Sequence, residues 1–106
     1  MTEYLWDREA TIRAYRAYLG LTQMQMADAL GVSVRSYQNF ENGRNAVPDG
    51  VFADIRELVA NIGELAERIA DKEHHELGDD PHPVALRAVG EALILNPDLR
   101  VTYASR

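Results

Sequence analysis

Residues 19–43 read LGLTQMQMADALGVSVRSYQNFENG, and this stretch decides the fold. Thr22 is suited to cap a short helix from Gln23 to about Leu30, in which Met26, Ala27 and Leu30 recur at helical spacing. Gly31 stands where a helix-ending glycine belongs and allows a sharp turn. Ser33 then caps a second short helix, Val34 to about Glu41, ended by Asn42-Gly43. Ala27 is small enough for the two helices to pack closely. With Tyr37 and Phe40 facing inward, Val34, Arg35, Ser36, Gln38 and Asn39 remain on the outer and N-terminal surface. Arg, Gln and Asn are the side chains whose donors and acceptors match guanine and adenine edges in the major groove. A first helix crossing the DNA backbone and a second entering the groove would use this arrangement.

The flanks read as further helices. Asp7 is placed to cap one running to about Tyr18, with Ile12, Tyr15 and Leu19 on one face and Gly20 ending it. Tyr4 and Trp6 precede it and are expected to cap the core. After a loop at 44–48, Val51, Ile55, Leu58, Val59, Ile62, Leu65, Ala66 and Ile69 recur at helical steps, which predicts one helix over about 49–73. Gly63 inside it can bend or split it, and the sequence leaves both open. Residues 74–83 read as a polar loop, Pro83 to Leu95 as a helix with Leu86, Val89 and Leu93 as its apolar line, and 96–98 as a turn. Residues 99–103 carry no decisive pattern. The expectation is an all-α fold: a helix-turn-helix core at 7–58, then a helical extension at 59–106, built as one compact unit.

Length and charge narrow the function. At 106 residues the chain suits one small domain that buries roughly 65% of its unfolded surface. No run of 18 apolar residues occurs and the start lacks a signal-peptide pattern, so neither membrane insertion nor export is expected. Cysteine is absent, which excludes disulfides, a thiol nucleophile and cysteine-bound zinc, and suits the cytoplasm. The net charge of −6 argues against indiscriminate binding to nucleic acid. However, the excess acid lies entirely in residues 48–106, whereas residues 10–47 hold four arginines against two acids. That split predicts one electropositive face and an acidic remainder. Arginine supplies all but one of the cations, which suits fork-like recognition of phosphate and guanine better than lysine does.

Arg16, Leu19-Gly20-Leu21-Thr22-Gln23, Ala27, Leu30-Gly31-Val32-Ser33 and Phe40-Glu41-Asn42-Gly43 together resemble the lambda-repressor/Cro-like (XRE) helix-turn-helix family over about residues 10–58. The resemblance implies phosphate contacts from Gln23 and Asn42. It implies base-facing positions at Val34, Arg35, Ser36 and Asn39, and an internal salt bridge between Arg16 and Glu41. Gln38 belongs with the base-facing set if its turn of the helix reaches DNA, and otherwise leans away. Arg44 either touches phosphate or complements the adjacent helix C-terminus. A narrower set, Ser33-Val-Arg-Ser-Tyr-Gln, Glu41, Gly43-Arg44, Ala46-Val47-Pro48-Asp49 and Asn96-Pro97-Asp98, is similar to phage regulators of the anti-CRISPR-associated kind.

Other chemistry is weakly represented. His74, His75 and His82 lie among Glu73, Glu76, Asp79 and Asp80, but adjacent histidines on a helix point about 100° apart and lack the i, i+4 spacing of a zinc helix. No metal and no cofactor are expected. Thr22, Ser33 and Ser36 have no general base nearby, so no enzyme is expected. The apolar stripe is longer than a small helix trio needs to cover, which predicts a homodimer seam at Ile55, Leu58, Val59, Ile62, Leu65 and Ile69. The reading is therefore a repressor acting as a homodimer on double-stranded DNA with an inverted-repeat operator. The rivals are an antitoxin-like module that binds a protein partner through its C-terminal half, and an RNA-binding regulator using the same face.

Overall fold

The computed structural model describes residues 7–104, so Tyr4 and Trp6 lie outside the described residues. The elements in order are α1 (Arg8–Leu19), α2 (Gln23–Leu30), α3 (Val34–Glu41), α4 (Asp49–Ala70), β1 (His74–Leu77), α5 (Pro83–Leu95) and β2 (Arg100–Tyr103). Two compact units divide the chain, one ending at Val59 and the other beginning at Ala60, with α4 running through the boundary.

In the first unit, local chemistry sets each helix boundary. Asp7 Oδ1 accepts from the Ala10 N–H at 3.2 Å and starts α1. At α2, Thr22 Oγ1 accepts from the Gln25 N–H (3.1 Å) while the Gln25 side chain accepts from the Thr22 N–H (2.9 Å). This reciprocal box satisfies two helix-end donors that otherwise have no partner. Gly31 adopts the left-handed conformation (φ 71°) and ends α2, and Ser33 starts α3 by accepting from the Ser36 N–H at 3.0 Å. The turn between α2 and α3 needs that positive φ, which a side chain at 31 would strain. α3 packs on both α1 and α2. Ile12, Leu19, Met26, Tyr37 and Ile55 are completely buried in this unit.

The second unit contains the rest of α4. Gly63 neither splits nor ends this helix, which continues to Ala70 and stops three residues short of the expected 73. There the Lys72 N–H turns back to the Ile69 carbonyl (3.1 Å), a tighter pattern that leaves the helix. Asn96 Nδ2 donates to the Ala70 carbonyl at 2.9 Å, tying the turn after α5 to the α4 terminus. The buried set is Ile62, Ala66, Ile69, Ala88, Val89, Ala92 and Leu99.

Two expectations need correction here. Residues 74–77 are not loop: β1 pairs in parallel with β2, from His74 opposite Arg100 to Leu77 opposite Tyr103. The intervening α5 supplies the crossover a parallel pair requires. The chain is still mostly helical, with this small sheet as its exception. The apolar line of α5 is also different. Val89 is buried, but Leu86 and Leu93 are 45% and 36% exposed, and the buried neighbours of Val89 are the small Ala88 and Ala92. The buried face of α5 is thus built around Val89 and two alanines, and helical period alone did not separate it from the leucine line.

Candidate nucleic-acid interface

Helix α3 presents a two-sided surface. Tyr37 and Phe40 are buried at 0% and 8% exposure, whereas Val34, Arg35 and Gln38 are exposed and Ser36 and Asn39 half-buried. At its start the Ser33 hydroxyl donates to Ser36 Oγ at 2.9 Å. At its end the Arg44 N–H donates to Asn42 Oδ1 (3.0 Å) and the Asn45 N–H to the Asn39 carbonyl (3.1 Å). These bonds hold the loop that carries the exposed Arg44. Gly43 turns this loop with φ 82°, and a Cβ there would collide with the Glu9 carboxylate.

Beneath that surface lies a polar chain. Arg16 Nε donates to Glu41 Oε2 at 2.6 Å and a second Arg16 nitrogen to Oε1 at 3.0 Å, a bidentate pair joining α1 to the last residue of α3. The remaining Arg16 nitrogen donates to the Leu21 carbonyl (3.0 Å). Gln23 Nε2 donates to Glu41 Oε1 (3.2 Å), and Gln38 Nε2 donates to Gln23 Oε1 (3.3 Å). Only 4% of the Glu41 side chain and 19% of the Arg16 side chain are exposed. Burial works against the Glu41 charge, but the Arg16 fork and the Gln23 amide outweigh it and hold the carboxyl below its ordinary value. The hydrogen bond to Glu41, against burial, raises Arg16 in turn. The Tyr37 hydroxyl has no partner in hydrogen-bond geometry among the described residues, and burial pushes its pKa well up, with the Glu41 charge beside it adding to the effect.

Sequence-selected residues are thus not all equally available. Arg35 and Arg44 are exposed, and Val34, Ser36 and Asn39 keep some access. The Gln23 and Gln38 amides bond to each other, and that of Gln23 to Glu41 as well. The seam residues divide more sharply. Ile55, Ile62 and Ile69 are 0%, 1% and 4% exposed within the chain itself, so they are core and not seam. Only Leu58, Val59 and Leu65 of that set keep partial exposure. The seven-residue spacing of the isoleucines marks one buried face of α4, and spacing alone does not say whose surface covers it. Among the described residues no group of three or more His, Asp or Glu side chains could hold a metal. His74 Nε2 instead lies 2.6 Å from Thr102 Oγ1, and His82 caps α5.

Arg8 was not singled out from the sequence. It donates to the Val47 carbonyl (3.1 Å) and Asp49 Oδ1 (2.7 Å), and its guanidinium lies 4.9 Å from the Phe52 ring centroid. It thereby ties the start of α1 to the far end of the loop bearing Arg44. The available signal was a cation in the first turn of a helix, where the dipole disfavours it.

A capped helix pair joined by a tight glycine turn, the second helix polar outward and aromatic inward, defines a helix-turn-helix protein. Residues 10–68 match the family model described as a helix-turn-helix domain, more than half the chain, and the chain belongs to that family. It is a DNA-binding transcriptional regulator. It is similar to the Aca2 repressor of Pectobacterium phage ZF40, with 33% identity over 95 residues, covering 85% of this chain and 77% of the relative. No helix among the described residues is long and apolar enough to cross a membrane.

Proposed function

We propose that this regulator is a cytoplasmic, non-enzymatic repressor that binds an inverted-repeat operator as a homodimer and blocks transcription by occupying the promoter. The observation that carries the reading is α3. Its aromatic residues are buried while Arg35 is exposed near the helix N-terminus, the end that meets base edges in this type of docking. Two such helices about 34 Å apart would enter successive major grooves. Arg35, with Val34, Ser36 and Asn39, would read bases, and Asn42, Arg44 and the α2 end at Gln23 would set register on phosphates.

The second copy is assigned to α5. Leu86, Leu93 and Ile94 are 45%, 36% and 75% exposed, at i, i+7 and i+8 of one helix. An uncharged stripe can face its own copy across a two-fold axis, whereas the acidic remainder of this half would repel itself. Leu58, Val59 and Leu65 stay as secondary contributors. The test is titration of labelled duplexes from the region upstream of the gene and of scrambled duplexes. A repressor prefers one inverted repeat by roughly a thousandfold or more. Equal affinity for all duplexes, or tighter binding of hairpin RNA, overturns the reading.

A further inference from the structure

A cleft of about 420 Å³ in the first unit is lined by Arg13, Arg16, Gln23, Gln38, Glu41 and Asn42. Two cations and one anion meet there, and they are not equivalent. Arg16 is engaged by Glu41 and the Leu21 carbonyl with all its nitrogens. Arg13 is exposed and has no hydrogen bond or ion pair among the described residues. Its natural helical partner, Glu9 one turn earlier, has its carboxylate against Gly43 instead. The cleft therefore carries one uncompensated positive charge, contributed by α1. On its rim Asn42 has its side-chain oxygen engaged by the Arg44 N–H, which leaves the amide nitrogen as a donor.

We propose that Arg13 holds a DNA backbone phosphate in this cleft, so that α1 grips the duplex together with α2 and α3. The proposal rests on the DNA-binding reading above and adds a contact to it. A guanidinium beside an amide donor suits a phosphate monoanion, and the engaged Arg16–Glu41 pair walls the cleft without adding net charge. A phosphate contact carries no base information, so Arg13 contributes affinity and register, not preference.

The test compares wild type, Arg13→Gln and Arg13→Lys on operator and scrambled duplexes at several salt concentrations. All three should melt alike, since the side chain is exposed and unpaired. Arg13→Gln should weaken both duplexes equally, by about eightfold per protomer at 0.1 M salt, and lower the salt slope by about one unit per protomer. Arg13→Lys should keep the slope. An unchanged slope in Arg13→Gln, or a loss confined to the operator, overturns the assignment. A wild-type protein that binds neither duplex overturns the underlying reading, and Arg13 falls with it.

Discussion

The polar contacts of the first unit converge on Glu41, whose carboxylate is nearly buried and receives donors from Arg16 and Gln23. Glu41→Ala should cost roughly 1–4 kcal/mol, since it strands a largely buried guanidinium. An unchanged melting temperature would show that the pair contributes nothing. The pH dependence follows from the same contacts. The folded carboxyl titrates below its ordinary value of 4.5, so its contribution is complete above that pH and is lost as pH falls through the lowered value. Glu41→Gln should flatten this acid-side loss in melts between pH 6 and pH 3, and an equally steep loss would assign it elsewhere. Arg35 tests readout. Arg35→Ala should cost roughly 1–3 kcal/mol per half-site and relax preference at one base position in a binding assay against single-base operator variants. If it instead weakens every duplex equally, Arg35 is a backbone contact. Gln23→Ala should weaken operator and non-operator DNA alike. Its amide links Gln38 to Glu41, so that loss reports the scaffold of α2 and α3 as well as any phosphate.

Helix boundaries in the first unit depend on short-range bonds, which makes them separable by mutation. Thr22→Ala removes the hydroxyl side of the box with Gln25 and should lower stability by about 1 kcal/mol in a urea melt, with no change in the denaturant slope. A loss near zero would mean that packing alone holds α2 in place. The β1–β2 pair depends on the opposite kind of bond. Its partners lie 26 residues apart, across a helix, so neither strand has a local reason to exist.

Assembly is decided by which apolar residues the folded chain leaves uncovered. Sedimentation at micromolar concentration should give about twice the 11.9 kDa chain mass. Leu93→Glu should yield a folded monomer, because it places a charge in the proposed interface without entering the core. Ile62→Glu should instead unfold the protein, since that side chain is 1% exposed within its own chain. A wild-type protein that sediments as a monomer, both free and on DNA, would overturn the proposed dimer.

By itself the sequence determined the five helix starts at Asp7, Thr22, Ser33, Asp49 and Pro83, the turn at Gly31, and the inward aromatics of α3. All of these depend on residues within about four positions of one another, where capping, glycine conformation and helical period act. The family motif identified the partners Arg16 and Glu41, although their distance in the chain hides their contact from any local rule. Only the tertiary structure decided that Ile55, Ile62 and Ile69 are core, that Leu86 and Leu93 are not, and that His74–Leu77 forms a strand. Periodicity shows that a helix has an apolar face, but not whether the same chain or another one covers it. That depends on which surfaces the fold brings together: in α5 the small Ala88 and Ala92 are buried beside Val89, while the larger Leu86 and Leu93 face outward.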